Sequence, residues 1–250
     1  MKRGTLAPTF GTVVMTGAAG RVATLVRPLL AAHCRELRLL DVRPVTVFLP
    51  CETPMHVKLE DADVLTPAMT KAEAVIHLGG LAEDATWPDL VKMNIEGTAN
   101  VFAAAQAKGI KRVVYASSIG ARGFFRDTAQ LPAGAPFRPD NHHAASKAAG
   151  ELVARMYAEK FGMQVTCLRI GQVSVSRDDV PAGMWTGADD LARLILAALH
   201  PLRTSFRAID TIAPERRAIF PNRQVRQMQF RWRGRNLPHR AQTAAEAPHS

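Results

Sequence analysis

Cysteine is scarce in this 250-residue chain. Cys34, Cys51 and Cys167 are odd in number and stand at unrelated spacings. That pattern suits neither a disulfide framework nor a zinc site and fits a reducing compartment. All three read as buried or incidental thiols. Long apolar runs are missing too: nothing approaches the ~18 uninterrupted apolar residues of a membrane span, although the hydrophobic fraction is an ordinary 47%. Residues 1–12 carry Lys2 and Arg3 but no apolar segment of the kind a secretory leader has. The expectation is a cytoplasmic protein with no membrane partner. Acidic residues are sparse in the last fifty positions, where Asp210, Glu215 and Glu246 face ten arginines, whereas residues 1–200 hold 22 Lys and Arg against 19 Asp and Glu. The net charge of +10 therefore belongs mostly to the tail, and by itself it does not indicate a nucleic-acid partner.

What is present is an alternation of short apolar runs and helical patterns over the first 200 residues. It predicts a doubly wound, mainly parallel α/β sheet of Rossmann type with helices on both faces. Strands are expected at Thr12–Thr16, Leu37–Asp41, Ala74–Leu78, Arg112–Ala116 and Gln164–Ile170. Helices are expected at Ala19–Ala32, Pro88–Lys108, Ser146–Phe161 and Ala188–Leu199. Residues 1–202 read as one domain carrying the active site, and 203–250 as a basic, Arg-rich extension, partly disordered.

Thr16-Gly17-Ala18-Ala19-Gly20-Arg21-Val22-Ala23 follows a strand and opens a helix. There, glycines permit a tight turn and close approach of a pyrophosphate, whose charge the helix N-terminus stabilises. Gly17, Ala19, Gly20, Arg21 and Val22 are thus candidate cofactor contacts. Asp41, ending the second strand, is placed to accept both ribose hydroxyls of NAD and to repel the 2′-phosphate of NADP; Arg43 nearby would suit that phosphate. NAD is the expected cofactor.

These residues resemble the NAD-dependent epimerase/dehydratase family, the extended branch of the short-chain dehydrogenases/reductases, and within it the uronate dehydrogenases. The likeness spans roughly residues 12–200. It is carried by Thr16-Gly-Ala-Ala-Gly20, Leu39-Leu-Asp41, Val75-Ile-His-Leu-Gly-Gly80, Asn94-Ile-Glu-Gly-Thr98, Ala116-Ser-Ser118, Arg138-Pro-Asp140, Ser146-Lys147, Leu168-Arg-Ile-Gly171 and Trp185 to Asp190. The resemblance implies hydride transfer from C1 of a sugar or sugar acid to NAD, giving a lactone. It implies that Leu78, Gly79 and Gly80 line the cofactor path, that Asn94 orders the helix behind the lysine, and that Ile170 flanks the nicotinamide. Ser118 falls on the catalytic serine, and Lys147 on the lysine that binds the nicotinamide ribose and tunes the acid/base. A homodimer is implied by resemblance alone.

The family's tyrosine, four residues before Lys147, is replaced by His143. A neutral imidazole can accept a proton at pH 7, but it reaches less far than a phenol, and ~1 Å of misplacement costs on the order of a hundredfold. The alternative is a catalytically degenerate NAD(P)-binding protein acting as a sensor or scaffold. A bland reading of His142 and His143, a solvated loop ahead of a helix, also stands. The remaining tyrosines do not substitute: Tyr157 reads as packing and Tyr115 as core. Lys58 replaces an aspartate the family places at adenine, leaving Asp61 or nothing in that role. His77 reads as a satisfied core histidine. Asp178-Asp179 and Asp189-Asp190 lack His or Cys partners at ligand spacing, so no metal is expected. The basic–aromatic run Gln227–Arg235 is the one hint of single-strand binding, and a solvated tail is the preferred reading.

Overall fold

The computed structural model describes residues 9–125, 135–176, 178, 180, 184–201 and 204–212. Strand β1 (Phe10–Thr16) turns into α1 (Arg21–Ala31), and β2 (Cys34–Asp41) and β3 (Glu52–His56) follow. After α2 (Ala62–Ala68) the chain returns to β4 (Ala74–His77). It then forms α3 (Trp87–Leu90), a π-helical turn (Val91–Glu96), α4 (Gly97–Ala107) and β5 (Arg112–Ser118). A 3-10 segment (Ile119–Phe125), α5 (His142–Phe161), β6 (Gln164–Ile170), β7 (Gln172–Ser174), β8 (Trp185–Gly187), α6 (Ala188–Leu199) and β9 (Phe206–Asp210) complete the order.

Seven strands form one parallel sheet in the order β3-β2-β1-β4-β5-β6-β9, and β7 pairs with β8 separately. Side chains alternate between the two faces of each strand. Val13 and Met15 of β1 join a core with Val26 and Leu30 of α1 and Leu191, Leu194 and Ile195 of α6. Val14, between them, joins the opposite core with Leu65 of α2, Val101 and Phe102 of α4, and Ala154 and Ala158 of α5. With apolar neighbours above and below, the central strands have no polar face; β4 is buried at every residue, as a doubly covered strand must be. The predicted doubly wound α/β fold is the observed one.

Two expectations are corrected. Helix α5 begins at His142, four residues earlier than the apolar pattern indicates, because the Asn141 side chain caps it by accepting from Ala144 N at 2.8 Å. His142 and His143 therefore occupy the first helical turn, not a loop. The sheet also continues past residue 202: β9 adds parallel to β6 with Val165 opposite Phe206, so part of the expected extension belongs to the domain. Asp61 caps α2, accepting from Val64 N at 3.3 Å. Asp179 and residues 213–250, including the Gln227–Arg235 run, lie outside the described residues.

Candidate functional site

The chain leaves β1 for β2 on one side and later enters β4 on the other, so strand order reverses between β1 and β4. No crossover connection fills the space above such a point, and ligands of open α/β sheets bind there, beyond the carboxyl ends of the strands. A cleft of about 680 Å³ opens at this place. It is lined from the end of β1 by Gly17, Gly20, Arg21 and Val22, and from the end of β4 by Leu78 and Gly80. Ser117 and Ser118 of β5, His143 and Lys147 of α5, and Ile170 of β6 line it as well.

The turn at its floor is built by close backbone approach. Gly17 has φ +69°, and a Cβ there would lie 2.6 Å from Gly79 N, so only glycine lets the turn rest against the end of β4. Among the described residues no side chain caps the N-terminus of α1 at Gly20, which leaves its first-turn amides able to bind an anion. Beneath the turn, buried Arg27 pairs with Glu52 at 3.0 Å and donates to Ala18 O at 3.2 Å. Asp41 is buried and braces the turn from β2, its carboxylate accepting from Ala19 N and from Arg43 N, each at 2.9 Å.

Lys147 and Asn94 meet at Gly80, whose φ is +147° and where a Cβ would lie 2.7 Å from Asn94 Oδ1 and 3.1 Å from Lys147 Nζ. Asn94 sits in the π-helical turn, fully buried. Its Oδ1 accepts from Leu81 N at 2.7 Å, and its Nδ2 donates to Leu81 O and Ser146 Oγ. Ser146 in turn donates to His143 O at 2.7 Å. The extra residue of a π turn thus aims one amide side chain at both the β4 loop and the start of α5. Lys147 Nζ donates to Ala116 O at 3.0 Å, and burial lowers its pKa to about 8.

His143 is 15% exposed at its side chain, with Nδ1 3.9 Å from Glu83 Oε1. Burial first and the Lys147 charge second lower its pKa to about 4, so the imidazole is neutral at pH 7. It can accept a proton but holds it weakly. Ser118 Oγ accepts from Gly120 N at 3.1 Å, leaving its proton available to a ligand. Ser117 borders the cleft, but its hydroxyl is committed elsewhere: the residue is buried and donates to Glu151 Oε1 at 2.5 Å.

His77 is a satisfied core histidine. Thr98 Oγ1 donates to Asn94 O at 2.6 Å, so it accepts from His77 Nε2 at 3.0 Å, and His77 Nδ1 accepts from Thr16 Oγ1 at 2.6 Å. The network assigns the neutral Nε2–H tautomer, and burial followed by Lys147 lowers the pKa to about 3. Tyr115 is wholly buried, and Tyr157 stacks on Phe102 with centroids 5.4 Å apart.

The structure therefore gathers Gly17, Gly20, Arg21, Val22, Leu78, Gly80, Ser118, His143, Lys147 and Ile170 around one cleft. Ala19, Asp41, Gly79 and Asn94 stand behind the lining rather than in it: Asp41 and Asn94 accept from backbone amides of Ala19 and Leu81, and the Gly79 amide donates to Thr16 Oγ1. Asp140, from the Arg138-Pro-Asp140 motif, and Gln172, next to Gly171, also line the cleft; sequence reasoning missed Glu83 and Met184, which line it too and belong to no motif that marks it. It also missed a buried charge cluster joining the 3-10 segment, α5, β6 and β9. Arg169 binds Glu151 through two bonds of 2.8 Å, and Arg122 binds Asp210 at 3.1 Å. Among the described residues no group of three or more His, Cys, Asp and Glu could hold a metal.

Comparison with known proteins agrees with this geometry. The chain is 32% identical to a uronate dehydrogenase of Pseudomonas putida over 188 residues, 74% of this chain and 70% of that protein. It is 33% identical to a uronate dehydrogenase of Agrobacterium fabrum over 189 residues, covering 75% and 71%. The crystal structure of a mutant uronate dehydrogenase from Agrobacterium tumefaciens, complexed with NAD, matches with a TM-score of 0.82 at 27% identity over 96% of this chain and 91% of that one. Residues 13–188 match the model of the NAD dependent epimerase/dehydratase family, and the chain belongs to that family.

Proposed function

We propose that this protein is an NAD-dependent oxidoreductase of sugars or sugar acids, resembling the uronate dehydrogenases. It takes hydride from C1 of a cyclic uronate or related aldose and leaves a lactone. The observation that carries the reading is the convergence of an uncapped helix N-terminus, Ser118, Lys147 and His143 on one cleft at the strand-order switch. The residues fit NAD: the Gly17–Gly20 turn is open to a pyrophosphate, and Lys147 lies beside Gly80 where a nicotinamide ribose would pass. Asp41 next to that turn favours a ribose hydroxyl pair over a phosphate. Bound NAD supplies a hydride acceptor.

The protein's own groups do the rest. Amides of the turn and of α1 hold the pyrophosphate, Arg21 and Val22 flanking it. Leu78, Gly80 and Ile170 shape the path toward the nicotinamide end. Ser118 donates a hydrogen bond to the reacting oxygen and fixes its direction. His143 accepts the hydroxyl proton, and Lys147 keeps a positive charge nearby that favours the developing alkoxide. With its pKa lowered to about 4, His143 is a weak acceptor, so turnover is slow. A second reading, an NAD binder without useful turnover, draws on that same depressed pKa.

Steady-state NAD reduction with a panel of uronates and neutral aldoses, on the wild type and on His143→Tyr, separates them. Measurable turnover in the wild type that rises in the tyrosine variant supports the enzyme. Turnover only in the variant supports the degenerate binder. No turnover in either, with NAD bound, sinks the dehydrogenase reading.

A further inference from the structure

His143 stands in the first turn of α5, and among the described residues neither of its ring nitrogens has a hydrogen-bond partner. Nδ1 is buried without one, and the nearest carboxylate oxygen, Glu83 Oε1 from the β4–α3 loop, stands 3.9 Å away. Nε2 is not among the buried unpartnered atoms, and His143 lines the cleft, so Nε2 is the nitrogen open to a ligand. A buried ring nitrogen costs free energy until it finds a partner. We propose that Glu83 is the positioning residue for His143. Its exposed carboxylate, 3.9 Å away, closes on Nδ1 and accepts a hydrogen bond from Nδ1–H, fixing that tautomer and leaving Nε2 as the acceptor for the substrate hydroxyl. This rests on the dehydrogenase reading above.

The chemistry balances. The C1–H bond breaks as its electron pair leaves with hydrogen for the nicotinamide ring, the O–H proton moves to His143 Nε2, and the carbonyl forms. The sugar is oxidised, NAD is reduced, and the proton passes later to solvent. The imidazolium so formed feels the Lys147 charge one turn along α5 and has the Glu83 carboxylate 3.9 Å from Nδ1, while the Asp140 carboxylate is directed toward Gly123 and Asn141. Lys147 opposes that charge and Glu83 offsets it. A tyrosine at this position would need no partner to choose a tautomer, whereas an imidazole does.

The test uses the full chain, labelled with ¹⁵N-histidine, as wild type, Glu83→Gln and Glu83→Asp. NMR reads the His143 tautomer, calorimetry the NAD affinity, and the pH profile of kcat/KM with NAD and glucuronate the acid limb. The expected result is Nδ1–H in the wild type, and Nε2–H or a mixture in Glu83→Gln. In that variant kcat falls on the order of tenfold, the acid limb moves to lower pH, and NAD affinity is unchanged. Glu83→Asp recovers most of the rate. An unchanged tautomer and acid limb in Glu83→Gln would overturn the proposal, as would equal losses of NAD affinity in both variants. A Glu83-dependent tautomer in a protein that turns over no sugar would leave the pairing standing and refute the dehydrogenase reading instead.

Discussion

Acidification should unfold this protein through two histidines that the fold keeps neutral. His77 and His143 have pKa values lowered to about 3 and about 4, against ~6.5 in an unfolded chain. Because the folded values are depressed, the stability contribution is intact above ~6.5 and is lost as pH falls toward the folded values. In that window the unfolded chain takes protons that the native one refuses. At pH 5 each histidine lies ~1.5 units below its unfolded pKa, and at ~1.4 kcal/mol per unit each costs about 2 kcal/mol. Together that is about 4 kcal/mol, a large share of a typical 5–15 kcal/mol. The assay is urea unfolding at pH 7, 6 and 5, followed by tryptophan fluorescence, on the wild type and His143→Asn. Carboxylate titrations are common to both chains and cancel in the comparison. The variant should lose about 2 kcal/mol less than the wild type between pH 7 and 5. Identical losses would refute the reasoning, because they would mean that His143 titrates as a hydrated side chain.

Three further outcomes follow from the same geometry. Gly17→Ala places a Cβ 2.6 Å from Gly79 N in a left-handed conformation; it should lower stability by about 2 kcal/mol or more and abolish NAD binding, as calorimetry and thermal melts would show. Glu151→Gln removes the negative charge paired with buried Arg169 and one of its two 2.8 Å acceptors and should cost about 3–5 kcal/mol in denaturant titrations, whereas Glu159→Gln, at an exposed pair, should cost under about 0.5 kcal/mol. Lys147, with its pKa lowered to about 8, is charged below that value and neutral above it, so kcat/KM should fall as pH rises through 8 and Lys147→Met should flatten that limb.

The sequence discloses the elements whose signal is local. β1, the glycine turn and α1 follow one another in one contiguous pattern, and β4 and β5 carry the unbroken apolar runs Ala74–Ile76 and Val113–Ala116 because both faces are covered. β3 and β9 escape notice for the opposite reason. They are the sheet's edges, β3 carries Pro54 and exposed residues, and an edge strand needs neither alternation nor a full set of amide donors. The start of α5 is misplaced because its first turn is His142-His143, which has no apolar period; the cap at Asn141 is the signal that marks it. The turn glycines, Ser118 and Lys147 are legible as motifs. Glu83 is not, since its only relation to His143 is spatial, across a wide separation in sequence. The Glu151–Arg169 and Arg122–Asp210 pairs likewise join segments that no local spacing connects.

For the chain to act on sugars as proposed, NAD must enter the cleft at the glycine turn. Calorimetric titration of NAD into the wild type and Asp41→Asn measures this. Saturable one-to-one binding to the wild type, weakened on the order of tenfold or more in Asp41→Asn, is the predicted result. No heat of binding to a folded wild type at millimolar NAD would contradict it.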